Sequence, residues 1–261
     1  MDGLHTWVIN LDKDEARLRR ITQQLEPTGL AWTRMPAVLG RELPADQQQV
    51  LLDAGAYRRK HGKDPALGEL GCYLSHLAVM RALLASPHQA ALVLEDDALL
   101  TPALLPVLQG LMAQPRRWDM VKLSAVHSGT PQPVLALAPG HHLAVMLSRC
   151  TGSSAYVVNR RAAEAYVAAL LPMTLPYDHV FDQGWTYRLK VRLVTPTPCV
   201  HDEQIATTIT TGGHNRKFAW HRRLSAHRYR LGNELRRVLY GLHETLRERA
   251  APLLRLDART G

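Results

Sequence analysis

With 261 residues, 46% hydrophobic and 21% charged, the chain has the composition of an ordinary soluble globular protein and room for one sizeable α/β domain with an appendage, or two small domains. Three widely spaced cysteines, Cys72, Cys150 and Cys199, exclude a disulfide framework and a zinc-ligand spacing, and no apolar run approaches the roughly 20 residues that span a bilayer. The net charge of +9 sits almost wholly in residues 214–261, which hold twelve Lys/Arg against four acids, whereas the preceding residues hold twenty against nineteen. A tail of this kind seeks an anionic surface, nucleic acid or anionic lipid. The N-terminus lacks a basic leader followed by an apolar core, so the expected location is cytoplasmic, with peripheral membrane contact open.

In chain order, Leu4 to Leu11 predicts a first strand, and the three-four spacing of Leu18, Ile21 and Leu25 predicts a helix that Pro27 and Gly29 end. A short strand follows around Ala31 to Met35. Residues 40–65 read as irregular apart from a short helix near Gln47 to Leu52. Ala66 to Ala85 predicts a helix, Ala90 to Leu94 a buried strand, and Pro102 to Ala113 a further helix. The strand Asp119 to Leu123 precedes a Pro-rich stretch, Thr130 to Gly140, that reads as a loop. Ser154 to Val158 and Val191 to Val194 read as strands, with an Ala-rich helix from Arg160 to Leu171 and an acidic loop or helix over Leu175 to Arg188 between them. The alternation predicts an α/β sandwich with a largely parallel sheet.

The most informative stretch is Ala90-Ala91-Leu92-Val93-Leu94-Glu95-Asp96-Asp97, an apolar strand that ends in three carboxylates. Three adjacent acids repel one another unless a cation sits between them. In an open α/β sheet the C-terminal ends of strands are where ligands bind. A magnesium or manganese ion carrying a phosphorylated substrate suits such hard oxygen ligands; a solvated acidic loop is the plain alternative. Other features lie on the same architecture. Asn10, Leu11 and Arg17 stand at the exit of the first strand, where a nucleotide or only a helix cap would fit. Gly68-Glu69-Leu70-Gly71-Cys72-Tyr73-Leu74-Ser75-His76 places two glycines in a helix and aligns Glu69, Cys72 or Tyr73, and His76 on one face. Each glycine costs up to about 1 kcal/mol against Ala, so close approach by another group would explain them. Gly152 to Tyr156 offers small residues that leave room for a ligand. Pro176-Tyr177-Asp178 holds a carboxylate just after a proline turn, as a general base or a helix cap.

Together these features resemble glycosyltransferase family 25, the lipopolysaccharide and lipooligosaccharide glycosyltransferases whose eukaryotic relatives glycosylate collagen. The resemblance runs from about Trp7 to Ile209 through VINLDKDEARLRR, GELGCYLSH, LEDDA, SAYVVN and PYDH, and becomes loose after Val200. It implies a GT-A-type, Rossmann-like nucleotide-diphospho-sugar transferase fold over residues 1–213, with a basic helical extension over 214–261. It also implies an inverting transfer, most often of galactose from UDP-galactose, onto a glycan acceptor such as the lipopolysaccharide core. On that basis Asp97 is the first-choice ligand of Mn2+ or Mg2+, with His201 or His214 as a further ligand. Asp96 is assigned to the ribose, and Glu95 to the metal through water or to the order of the loop. Asp178 is the expected base, with Asp182 in reserve, and Lys122 would meet the diphosphate or be a surface lysine. Asn10, Leu11, Arg17, Glu69, Ser75, His76, Gly152 and Tyr156 complete the expected donor site.

The tail spaces Leu224, Leu231, Leu235, Val238, Leu242 and Leu246 by three, four or seven, with arginines on the rest of the wheel. That is the pattern of a helix lying on an anionic bilayer, or of one packed back on the domain with a solvated basic face. Two rival classes stay open: a metal-dependent phosphohydrolase using the acidic triplet, and a basic nucleic-acid-binding protein. The second is disfavoured because the core is nearly neutral and carries no recognisable nucleic-acid module.

Overall fold

A computed structural model describes residues 1–201 and 217–257 of the chain. Its centre is an eight-stranded sheet built from β1 (Leu4–Asn10), β2 (Trp32–Pro36), β3 (Ala90–Glu95), β5 (Met120–Lys122), β6 (Pro131–Ala138), β7 (His141–Met146), β8 (Ala155–Asn159) and β9 (Val191–Thr195). The order across the sheet is β2-β1-β3-β8-β5-β9-β7-β6. β4 (Ala98–Leu100) and β10 (Cys199–His201) form a separate antiparallel pair.

The α/β sandwich is as predicted and Rossmann-like, but the sheet is mixed rather than largely parallel. β1 pairs in parallel with β2 and β3, and β5 with β9, whereas β8 runs antiparallel to both β3 and β5 and β7 antiparallel to β6 and β9. The physical cause lies in the stretch over Thr130 to Gly140, which reads as a loop in the sequence. It is instead β6, turned at Pro139-Gly140 into β7. β6 is the last strand of the sheet, and an edge strand tolerates Pro131 and Pro133 because a missing N–H need not face a partner there. β8 then runs in the same sense as β7, against β3 and β5, between which it lies.

Period-two alternation sorts the strand residues onto two apolar layers. Trp7, Ile9, Ala91, Val93, Tyr156 and Val158 face one core, with Leu70, Leu77 and Met80 of α4 (Leu67–Ala85) and Tyr166 of α6 (Arg160–Ala169). Val8, Leu92, Leu94, Val121 and Val157 face the other, with Ile21 and Leu25 of α1 (Glu15–Leu25) and Leu104, Leu108 and Leu111 of α5 (Leu104–Met112). The unbroken apolar run of β3 follows from this covering on both faces.

Residues 40–65 hold more helix than predicted. α2 (Ala45–Leu51) agrees with the short helix expected there, but α3 (Ala54–His61) was not anticipated. Its ends carry ordinary signals: the Asp53 carboxylate accepts from the Ala56 N–H at 2.8 Å, and Gly62 closes the helix at φ +80°. α7 (Tyr177–Val180) and α8 (Gly184–Tyr187) are single turns, and α9 (Leu224–Asp257) is one continuous helix despite Gly232 and Gly241.

Contrary to a simple amphipathic helix on a domain, α9 docks through its polar face. The Arg192 guanidinium of β9, fully buried, reaches Glu244 at 2.6 Å and Glu248 at 2.9 Å. Arg237 of the helix reaches Asp182 at 2.8 Å, and the Tyr240 hydroxyl donates to the Leu189 carbonyl at 2.7 Å.

The helix glycine Gly71 has the cause the sequence suggests, close approach, but the approaching group is backbone: a Cβ there would overlap the Val38 carbonyl oxygen and sit 2.7 Å from the Gly40 nitrogen. Gly232, in the interior of α9, has nothing within 4 Å of a Cβ. Gly71→Ala is therefore expected to destabilise by about 1–3 kcal/mol through overpacking. Gly232→Ala should stabilise by up to about 1 kcal/mol through helix propensity alone. Urea denaturation of the two variants checks both signs.

Candidate active site

One cavity of about 300 Å³, at the lower end of the range for ligand pockets, opens where the C-terminal ends of β3 and β5 meet the entry to β8. Its wall holds Glu95 and Asp97 from the end of β3, Ser124 beyond β5, Gly152 to Ser154 before β8, Glu69 and Cys72 of α4, and Tyr177 and Asp178 of α7. The end of β3 therefore delivers Glu95 and Asp97 to the C-terminal side of the sheet, where open α/β sheets receive ligands, and α4 and α7 add Glu69 and Asp178.

Of the three consecutive acids, two face the cavity and one supports them. Asp96 lies outside the wall with both oxygens engaged: Asn10 Nδ2 donates to one at 2.7 Å and Arg17 pairs with the other at 2.5 Å. Burial raises the Asp96 carboxyl above its ordinary range, partly offset by Asn10 and Arg17. The ribose role assigned to Asp96 therefore meets a carboxylate already used within the fold. Arg34 Nε donates in turn to Asn10 Oδ1 at 3.0 Å, and the Leu11 carbonyl accepts from the Asp14 N–H at 3.0 Å. Arg17 also comes within 3.4 Å of Asp97. Asn10, Leu11 and Arg17 thus form the support behind the acidic turn, outside the cavity wall.

Glu95 accepts from the Ser153 hydroxyl at 2.7 Å and stands 3.4 Å from His76 Nε2. His76 is fully buried, stacked on Tyr177 at 4.2 Å, with Nδ1 3.0 Å from the Tyr156 hydroxyl, which lies 3.1 Å from the Tyr177 hydroxyl. His76 is therefore buried behind Glu95, its ring set by Tyr156 and Tyr177 and its Nε2 aimed at the Glu95 carboxylate. Ser75 also acts within the fold: its hydroxyl donates to the Gly71 carbonyl at 2.7 Å and accepts from the Val38 N–H at 2.8 Å. Glu69 does reach the wall, held by the Tyr57 hydroxyl and Lys63 ammonium, both at 2.6 Å. Between Cys72 and Tyr73 the fold selects Cys72 for the cavity, since the Tyr73 hydroxyl is spent on the Leu170 carbonyl at 2.5 Å. Burial pushes the Cys72 thiol well above its ordinary value, and Glu95, Asp178, Asp97 and Glu69 push it further in the same direction. Four carboxylates thus act on one point.

Asp178 accepts from the Gly152 N–H at 3.2 Å. Gly152 sits at φ +99°, a conformation that glycine adopts without strain. Its carbonyl and that of Cys150 are each taken by the Lys122 ammonium at 2.6 Å. Lys122 is fully buried, 4.7 Å from the centre of the Phe181 ring, so it is neither a surface lysine nor open to a diphosphate. It shapes the glycine turn on which Asp178 rests. Asp182 is corrected as well: it is buried on Arg237 and absent from the cavity wall, which removes it as a reserve base. His201 lies on β10, and His214 lies outside the described residues. Ser153 falls within the Gly152 to Tyr156 stretch that the sequence marks as leaving room for a ligand. Sequence reasoning missed Ser124, whose signal was its place just beyond β5 at the same end of the sheet as Glu95.

Among the described residues, two donor sets could hold a metal. Glu95 and Asp97 offer hard oxygens toward the cavity and fit magnesium or manganese. One ligand atom each from Cys72, His76 and Glu95 also lie within 4.8 Å of one another, a softer set that shares Glu95 with the first.

A sequence model of glycosyltransferase family 25, described as an LPS biosynthesis protein, matches residues 4–181, and the chain belongs to this family. A glycosyltransferase 25 family member of Aedes aegypti is 31% identical over 126 residues, covering 45% of this chain and 20% of that protein. Procollagen galactosyltransferase 1 of Danio rerio is 28% identical over 180 residues, covering 66% of this chain and 30% of its own length. The chain thus spans less than a third of these two relatives. Among solved structures, a glycosyltransferase involved in the glycosylation of the major capsid of PBCV-1 is 10% identical with a TM-score of 0.43, over 78% of this chain and 94% of that one.

Beside the site, His61 packs on the rings of Tyr57 at 5.2 Å and His179 at 5.1 Å, and burial, followed by the nearby charge of His179 and Lys63, lowers it to about 3. The unfolded chain takes up a proton at this histidine as pH falls below 6.5, whereas the folded protein resists until about pH 3. Stability at His61 is therefore undiminished above 6.5 and declines on acidification, by up to about 2 kcal/mol between pH 7 and 5. His61→Gln should lose less stability over that interval than the parent protein, measured by denaturant midpoints at each pH; equal slopes would contradict this account.

Proposed function

We propose that this chain is an inverting, metal-dependent glycosyltransferase that moves a hexose, galactose from UDP-galactose, onto a hydroxyl of a glycan acceptor such as the lipopolysaccharide or lipooligosaccharide core. The observation that carries this reading is the convergence of Glu95 and Asp97, from the end of β3, and Asp178, from α7, on one cavity beside the sheet. Family membership supports sugar transfer, the name of the Danio rerio relative supports galactose, and the family description supports the lipopolysaccharide acceptor.

Asp97, with Glu95 beside it, would hold a divalent ion, Mn2+ or Mg2+, whose positive charge offsets the charge that grows on a departing diphosphate. Ser153 and His76 keep the Glu95 carboxylate oriented toward the cavity, and Arg17 steadies Asp97 from behind. Inversion requires an acceptor hydroxyl to attack the face opposite the leaving group and to give up its proton there. Asp178 suits that role, being an acceptor-only carboxylate on the wall, oriented by the Gly152 N–H. Burial holds the adjacent His179 imidazole below its ordinary value, against the pull of Asp178 and Asp182. Asp178 is thus flanked by a neutral ring rather than a competing cation at neutral pH.

Asp178→Asn is expected to lower transfer by about 10²–10⁴-fold, the usual contribution of a general base, while donor affinity stays nearly constant. Asp97→Ala should abolish manganese-dependent donor binding with the fold intact. Isothermal titration with UDP-galactose, together with UDP release and mass analysis of the product, separates the two effects. Unchanged turnover in Asp178→Asn would remove the base assignment, and unchanged donor binding in Asp97→Ala the metal assignment.

A further inference from the structure

The helix α9 carries its amphipathicity inside out. Its polar face is buried: Asn233, Arg237, Glu244 and Glu248 point into the domain, where Glu244 and Glu248 share Arg192, and Glu248 also meets Arg117 at 2.9 Å. Its leucines point outward. Leu231, Leu235, Leu239, Leu242 and Leu246 are all exposed, from 48% at Leu242 to 73% at Leu231, and follow one another at three- and four-residue steps along a single face. At 1.5 Å per residue this row is about 22 Å long, and Trp220, 74% exposed, precedes it. A row of this size left in water is a cost that a solitary soluble protein has no reason to carry.

The charge around the row decides what covers it. Arg228, Arg236, Arg247 and Arg249 are exposed along the same helix. Among residues 224–250 the acids are Glu234, Glu244 and Glu248; the last two are buried, and Glu234 lies 3.7 Å from Arg237. The outward surface is therefore apolar and cationic, with its acids turned inward or paired. A second copy docking leucine to leucine would bring arginines against arginines. Nucleic acid would meet the arginines but leave the leucines in contact with phosphates and water. A bilayer with anionic headgroups satisfies both, taking leucines into the acyl boundary and arginines at the phosphates.

We propose that the outward face of α9 is a docking surface for an anionic lipid bilayer and that the domain is carried on it through the buried ion pairs of the inward face. The helix lies beside the site: Arg230 donates to the His61 carbonyl at 2.7 Å, and His61 ends α3, whose Tyr57 holds Glu69 on the cavity wall. Docking would thus bring the cavity close to acceptors embedded in the same membrane. The surface goes beyond the proposed transfer reaction and stands or falls separately from it.

The test uses the full chain with vesicles of phosphatidylcholine alone or with about a third phosphatidylglycerol. The protein should float with the anionic vesicles, weakly with the neutral ones, and binding should fall steeply as salt is raised, because screening shortens the reach of the arginines. Leu235→Ser/Leu239→Ser/Leu242→Ser should weaken vesicle binding at least tenfold, with an unchanged melting temperature and unchanged UDP release on a soluble acceptor. Arg228→Gln/Arg236→Gln/Arg249→Gln should flatten the salt dependence; Arg247 is left in place because it pairs with Glu244 at 3.2 Å. Sedimentation of the full chain without lipid should show a monomer. Equal flotation of parent and leucine variant, indifference to phosphatidylglycerol, or a lipid-free dimer broken by the leucine substitutions would each overturn the proposal. Loss of transfer with vesicle binding retained would count against the catalytic reading alone.

Discussion

Gathering carboxylates at one sheet edge is the constraint around which this molecule is arranged. Like charges so placed raise the energy of the folded chain unless each is separately accommodated. Asp96 is accommodated by Asn10 and Arg17 within the fold, and Glu69 by Tyr57 and Lys63. Glu95 is braced by Ser153 and His76, and Asp178 by the backbone N–H of Gly152. What remains is a cavity whose acids are held in place by neutral donors or by cations set behind the wall, so that their charge is directed at whatever enters.

The buried cations follow the same logic. Lys122, Arg192 and Arg237 are all withdrawn from solvent, and each is used to fix backbone or a helix. Lys122 gathers two carbonyls of the turn that presents Gly152; Arg192 and Arg237 hold α9. Removing one partner of such a pair leaves an uncompensated buried charge. A net charge of +9 therefore overstates how basic the surface of the domain is, and among the described residues most of the exposed excess lies on α9.

Much of the site was legible in the sequence because strand ends and loops with special residues announce themselves locally. The acidic triplet, Glu69, Gly152 and Asp178 all reach the cavity or its immediate support, and the family resemblance tied them together. The misassigned residues share one feature. Lys122, Asp182, Tyr156 and Ser75 are polar groups satisfied by partners 4 to 80 positions away, and a polar residue facing a ligand looks the same in sequence as one facing a buried partner. The β6–β7 hairpin was missed for another reason: prolines argue against a strand only when the strand is interior, and edge position is a property of the whole sheet.

The sequence by itself determined the alternation of strands and helices, the apolar run of β3 and the place of its acids, and the helical periodicity of the tail, since each depends on neighbours within a few residues. Only the tertiary structure decided which acids face the cavity and which face of α9 faces the domain. The apolar stripe of that helix is plain in the sequence, but its orientation depends on Arg192 and Asp182, which stand on other elements and capture the acids Glu244 and Glu248 and the base Arg237. The ion pairs form across the fold while the leucines face outward, and that orientation is set by long-range contacts that no local pattern encodes.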